Sequence, residues 1–192
     1  MLEEFELYLR AHTHLDDGDI DRVISLAVPR TLRRNEFLLR EGEVCRHKTF
    51  IVKGLLRTFG TAADGSEHIL QFSPEHHWTL DAESYDHQRP AQFNISAIEN
   101  SEVLGWAKPD FDGLLASIPE LKSWAERLIS SNIYLSRQRL LIALSATPEE
   151  KYHEFIRSFP DLLPRLPLHM IAGYLGISIK TLTRIRQAQL RR

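Results

Sequence analysis

From Ser178 onward the chain reads SIKTLTRIRQAQLRR, and the residue types alternate at a spacing that could do chemistry on a polyanion. On a helix of 3.6 residues per turn, Leu182 and Ile185 share one face, while Lys180, Thr181, Thr183, Arg184 and Arg186 point outward. An arginine fork fits the O6 and N7 atoms of guanine, which makes Arg184 the best candidate for reading a base edge. Ser178 suits the helix N-cap, and Lys180, Thr181 and Thr183 reach bases or phosphates from the helix start. Arg186, Arg191 and Arg192 suit phosphate neutralisation, which fixes position rather than sequence. The chemistry implied is recognition of a duplex, with no bond made or broken.

Other reactive residues form no comparable pattern. His68, His76, His77, Asp81, Asp86 and His87 crowd together in sequence and invite a metal, yet none has the fixed spacing of a structural zinc site. Cys45 has no obvious base partner, and a lone thiol near a strand is usually inert unless its pKa is lowered. There is no Gly-x-Ser-x-Gly elbow and no phosphate-cradling glycine loop. The expectation is therefore a protein that is not an enzyme and carries neither cofactor nor metal.

Charge is distributed to match. The 192 residues hold 24 basic and 26 acidic side chains, a net charge of −2. Residues 162–192 contain six of the basic ones and no acid, leaving 18 basic against 26 acidic in residues 1–161. A basic end on an acidic body is the electrostatic footprint of a nucleic-acid-binding module attached to something else. No apolar run approaches the ~18 residues of a membrane span. The opening MLEEFELYLR is acidic and amphipathic rather than a secretory signal, and a single cysteine excludes an internal disulfide. A cytoplasmic location is expected.

The elements that must position this end can be read from periodicity. Phe5, Leu7, Tyr8 and Leu9 form a rough helical stripe, and Ile20, Val23, Ile24 and Ala27 follow at helical spacing behind an Asp-rich start, with Pro29 as the stop. From about residue 34 to 107 the period becomes that of strands, with a hairpin signal at Asp64-Gly65 and a turn at Glu99-Asn100. About eight short strands at regular spacing predict a β-roll or sandwich. Helical periodicity returns at DFDGLLASI and then from Pro119 to Ser145, about 40 Å of helix. Leu121, Trp124, Leu128, Leu135 and Ile142 follow a loose heptad on it, interrupted by Ser131 and Gln138. A second copy of the chain would cover that stripe as a coiled coil, the alternative being a helix packed wholly on its own roll. After Pro148 come a short helix, the proline-rich linker PDLLPRLP, and two helical segments joined at Gly176. Ala172 where backbones cross, Gly176 in the turn and Leu182 as the plug make the pattern of a helix-turn-helix. The fold expected is α+β: a jelly-roll-like β-roll with flanking helices over 1–118, a dimerisation helix over 119–147, and a helix-turn-helix over 148–192.

That order resembles the cyclic-AMP receptor/Fnr (Crp/Fnr) superfamily of bacterial transcription regulators over nearly the whole chain. EGEVCRHKTFIVKGLLRTF looks like the family's strand–turn–strand with its Val52-Lys53-Gly54 turn, and SEVLGWAKPDFDGLL resembles the strand leading to the helix before the dimer helix. GISIKTLTRI is similar to the family's recognition helix, with Ser178, Thr181 and Arg184 on shared positions. The resemblance implies a sensor domain of cyclic-nucleotide-binding type, a homodimer, double-stranded DNA as partner, RNA polymerase as a further partner, and a small-molecule effector.

This chain departs from the family at several points. The ungapped register puts Leu80, Asp81, Ala91 and Gln92 where nucleotide-binding members have Gly-Glu and Arg-Ser. Asp81 could keep the carboxylate's role, but the phosphate-binding arginine is missing, and Arg89 lies two residues early and before a proline. Tyr134 and Leu135 stand near the positions that contact the base. The six positions Leu80, Asp81, Arg89, Ala91, Gln92 and Tyr134 mark the effector pocket, with cyclic AMP not expected as a tight ligand. No N-terminal cysteine cluster of the oxygen-sensing branch is present. Ile179 and Lys180 replace an Arg-Glu pair that reads bases, so the operator should differ. No β-hairpin wing follows the recognition helix, so its phosphate contacts are expected to be absent or taken over by Arg191 and Arg192. The competing reading is a small-molecule-binding β-roll protein whose terminal hairpin makes protein contacts.

Overall fold

The computed structural model describes residues 1–190, with side chains through 188. Two short helices, α1 (Leu2–His12) and α2 (Asp17–Ser25), precede eight strands: β1 (Val28–Leu32), β2 (Phe37–Leu39), β3 (His47–Lys53), β4 (Leu56–Thr61), β5 (Glu67–Ser73), β6 (Trp78–Thr79), β7 (Asn94–Ala97) and β8 (Ser101–Ala107). A short helix, α3 (Ala82–His87), interrupts the strands after β6. Five helices follow: α4 (Lys108–Ser117), α5 (Pro119–Ser145), α6 (Pro148–Ser158), α7 (Leu168–Leu175) and α8 (Ile179–Leu190). The chain clusters into two compact units, one of residues 1–60 and 70–128, the other of residues 61–69 and 129–192.

In the first unit the strands form two four-stranded sheets, β1-β8-β3-β6 and β2-β7-β4-β5. The mixed α and β fold with a β-roll is the one the periodicity predicts. Because side chains alternate faces along a strand, the first sheet feeds two cores. Thr49 and Ile51 of β3 and Val103 of β8 point between the sheets, where Leu32, Leu39, Leu56, Ile95 and Ala97 meet them. Phe50, Val52, Leu104 and Trp106 point the other way, beneath α1, α2, α4 and the start of α5. That outer core is aromatic: Phe5 lies 4.7 Å from Phe50 and 5.0 Å from Trp106, ring centre to ring centre. The indole N–H of Trp106 donates to the Val23 carbonyl at 2.8 Å, tying α2 to the sheet. Leu7, placed on the helical stripe by its sequence, is instead 68% exposed, and Phe5, Tyr8 and Leu9 alone make the contact.

Two elements escape the sequence reading. Pro29 does not simply end a helix: it sits inside β1, which pairs with β8 at a sheet edge, where a missing N–H costs no ladder bond. Helix α3 starts at Asp81, whose carboxylate accepts the Ser84 N–H at 3.0 Å, and ends at Gln88 in the left-handed region. The Val-Lys-Gly turn closes tightly. Gly54 has φ +101°, and an added β-carbon would stand 2.7 Å from the Ser101 backbone. Gly54→Ala should therefore lower the unfolding free energy read from a urea titration by about 3 kcal/mol, since both the conformation and the space are lost at once.

Candidate nucleic-acid interface

In the second unit, α7 ends at Gly176, which adopts φ 65° and ψ 36° and passes its N–H to the Ala172 carbonyl. The Ile177 N–H reaches the same carbonyl at 3.1 Å. This left-handed C-cap turns the chain sharply with no β-carbon penalty. Ser178 then accepts the Thr181 N–H at 3.1 Å and opens α8. Ile171, Ala172 and Leu175 of α7 are buried, as are Leu182 and Ile185 of α8, together with Tyr152 and Phe155 of α6. The apolar face of α8 is thus consumed by packing.

What remains faces outward. Lys180, Arg184 and Arg186 are exposed, and Thr181 and Thr183 are half-buried. Lys180, Thr181, Thr183, Arg184 and Gln187 line one open concave face of about 530 Å³. The hydroxyls are partly engaged: Thr183 donates to the Ile179 carbonyl at 2.9 Å, and Ser178 and Thr181 share a bond of 2.9 Å. Gln187 was not among the residues expected here. Its signal lay in the spacing, three to four residues beyond Thr183 and Arg184, and a glutamine amide can read adenine as arginine reads guanine. Glu149, in the first turn of α6, was also missed; it lies 3.5 Å from Arg184, with both groups mostly solvated. Such a pair is weak, so it holds the guanidinium without sequestering it. Arg191 and Arg192 lie outside the described residues.

The same unit contains the tip of the β4–β5 hairpin. Arg139 of α5 is half-buried and donates to the carbonyls of Ile69, at 2.7 Å, and Tyr174, at 3.3 Å. Its guanidinium lies 3.7 Å from the centre of the Tyr174 ring. Gly173 makes room for the hairpin: a β-carbon there would come 3.0 Å from the Glu67 carbonyl oxygen.

Helix α5 corrects the expected dimer stripe. Leu121 and Trp124 are 1% and 5% exposed and belong to the aromatic core of their own chain, with Leu128 packed against it. They are unavailable to a partner because the face they share points at the roll. Leu135 is exposed and Ile142 half-buried. A different stripe is open to solvent: Ile129, Ile133, Leu140 and Leu144, 48–79% exposed and within about 60° of one another around the helix.

The expected effector positions differ in burial and partners. Asp81 is buried, with one carboxylate oxygen capping α3 and the other without a hydrogen-bond partner. Ala91 packs between the sheets, whereas Gln92 is exposed and donates to Glu83 at 3.1 Å. The Arg89 side chain is exposed, its carbonyl accepting the Ser84 hydroxyl. Tyr134 belongs to the other unit and is 63% exposed. No cation stands at Ala91 or Gln92, where a nucleotide phosphate would need one. Burial pushes the Cys45 thiol above its ordinary range, which makes it a poor nucleophile. Among the described residues, no three His, Cys, Asp or Glu side chains are grouped to hold a metal, and no helix is long and apolar enough to cross a membrane.

Comparison with known proteins bears on both units. Residues 29–117 match the cyclic nucleotide-binding domain family. The chain is 27% identical over 195 aligned positions to the transcriptional activator protein Anr of Pseudomonas protegens, covering 93% of this chain and 77% of that protein. It is 24% identical to the fumarate and nitrate reduction regulatory protein of Vibrio cholerae, covering 86% and 69%. Among solved structures it is similar to FixK2 from Bradyrhizobium japonicum, with TM-score 0.75, 16% identity and coverage of 86% and 84%. It is also similar to the c-di-GMP-responsive regulator CLP of Xanthomonas campestris, with TM-score 0.77, 10% identity and 92% of both chains covered.

The two faces of α5 predict opposite behaviour on substitution. Leu140→Glu should leave thermal stability near wild type and, where two copies pair through this stripe, shift the sedimentation coefficient to that of a monomer. Leu121→Ala should instead cost about 2–5 kcal/mol of stability without that change in assembly.

Proposed function

We propose that the chain is a member of the Crp/Fnr superfamily and a homodimeric, sequence-specific DNA-binding regulator of transcription, a reading supported by the cyclic nucleotide-binding domain match and the similarity to Anr. The observation that carries this reading is α8: its apolar side is locked by Leu182 and Ile185, so Lys180, Arg184, Arg186 and Gln187 must face solvent. A recognition helix of this kind enters the major groove, and its polar side chains meet base edges. One such helix binds weakly. Two copies joined through the exposed stripe of α5 would read two half-sites on one duplex, which raises the effective concentration of the second contact. Arg184 is assigned to a base, and Arg186 to a phosphate. Glu149 places a negative charge beside Arg184, penalising phosphate approach there and favouring a base partner that satisfies the guanidinium. As a regulator the protein would act by changing the orientation or spacing of the two α8 helices, and activation would further require contact with RNA polymerase. The reading gives no side chain a catalytic role.

Selection of bound duplexes from a random pool tests it. A two-fold symmetric site should emerge, and binding should fall steeply between 50 and 200 mM salt. Arg184→Ala should relax preference at one base pair per half-site by about 1–3 kcal/mol, whereas Arg186→Ala should weaken all sequences alike and lower the salt slope by about one. A failure to enrich any sequence, or binding indifferent to salt, would sink the reading.

The effector assignment has its own test. With Ala91 and Gln92 in place of a phosphate-binding pair, calorimetric titration with cyclic AMP should give no micromolar binding.

A further inference from the structure

Lys48 lies on the face of β3 that also carries Phe50 and Val52, opposite Trp106 of β8. That face turns toward the aromatic outer core, so the side chain leaves the strand among rings and is half-buried. Its ammonium stands 4.7 Å from the centre of the Phe111 ring and 5.3 Å from that of Trp78, and the two rings are 5.7 Å apart. Ring faces attract a cation but accept no proton from it. Among the described residues, Lys48 has neither a hydrogen bond nor an ion-pair partner.

Lys108 shows the contrast. It reaches Asp112 at 2.9 Å and also lies over the Tyr85 ring. Asp112 is thereby committed, and Asp86 is exposed near the end of α3. Burial pushes the Lys48 amine below the ordinary lysine range, and the more distant Asp86 and Asp112 only partly oppose it. A lysine so placed is the nucleophilic kind: less of its amine is tied up as ammonium, and no anion holds the charge in place.

We propose that Lys48 is a covalent modification site, its amine taking an acyl group from an activated donor, an acyl phosphate or an acyl thioester. The amine lone pair attacks the acyl carbon and forms the amide C–N bond. The bond from that carbon to the donor's oxygen or sulfur breaks, and its electron pair leaves with the phosphate or thiol. The proton shed by nitrogen goes to that leaving group, and nothing is oxidised or reduced. The product carries no charge, so the desolvation that the ammonium suffers beside Trp78 and Phe111 is relieved. This site goes beyond the DNA reading and does not depend on it.

The test incubates full-length protein with acetyl phosphate, or with acetyl-coenzyme A, and follows each lysine by peptide mass mapping. Lys48 should be acetylated several times faster than Lys53 and Lys122, which are exposed. Its rate should rise with pH and level off below the ~10.4 of an unperturbed lysine, because a lowered pKa completes deprotonation at lower pH. Asp86→Asn, an exposed change that removes one opposing charge, should speed Lys48 and leave Lys53 and Lys122 unmoved. Unfolding the chain in urea should erase the preference, since only the fold brings the rings to the amine. Labelling by one donor and not the other supports the site and names the donor. No acetyl group on Lys48, a rate no higher than that of the exposed lysines, a preference that survives urea, or indifference to Asp86→Asn overturns it.

Discussion

A helix of twelve residues has one face to bury, and Leu182 and Ile185 decide which face α8 gives up. Both are almost wholly enclosed by α6 and α7. Once they are fixed, the 100° step between residues leaves Lys180, Arg184 and Gln187 no inward position, whatever their own preferences. Burying either Lys180 or Arg184 unpaired would cost more than the packing gains, so the two tendencies reinforce one another. The steep turn at Gly176 keeps this arrangement compact, because a residue with a β-carbon would resist φ 65° there. The exposed cationic face of α8 follows from this apolar plug more than from any single arginine.

The same economy governs the long helix. Its first ten residues lend Leu121 and Trp124 to an aromatic core in which Phe5, Phe50, Trp78 and Trp106 also meet. Further along, Arg139 turns its guanidinium onto Tyr174 and two backbone carbonyls. One flank of α5 is therefore spoken for by its own chain, and the apolar residues on the other flank lie exposed. A single heptad count cannot separate these flanks, because 27 residues with leucine and isoleucine on several sides satisfy more than one register.

Much of the fold was legible in the sequence, and the reasons it was can be named. Asp64-Gly65, Gly54 and Gly176 each mark a real turn with positive φ at the glycine, and the shift from helical to alternating period marks where the roll begins. The spacing of Ala172, Gly176 and Leu182 identified the C-terminal motif because its geometry tolerates few alternatives. Other features were hidden for physical reasons. Strand β1 contains a proline that ordinarily ends a helix, and only its partner β8 shows that it sits at an edge. Helix α3 is too short to display a period. Glu149 is 35 residues from Arg184, and the Thr49–Thr79 pair spans 30, so neither meeting leaves a local trace. The dimer stripe was misread at Leu121, Trp124 and Leu128 because a heptad count cannot show that these three pack into their own chain's aromatic core.

Open sheet edges recruit other strands and seed aggregation. Here β1 carries Pro29 and Arg30, while β2 and β6 extend only three and two residues. On β5, the remaining edge, the Ile69 carbonyl is already taken by Arg139. The roll thus offers intermolecular ladders almost no purchase at any border, so a crowded cell can hold many copies of it without their sheets fusing.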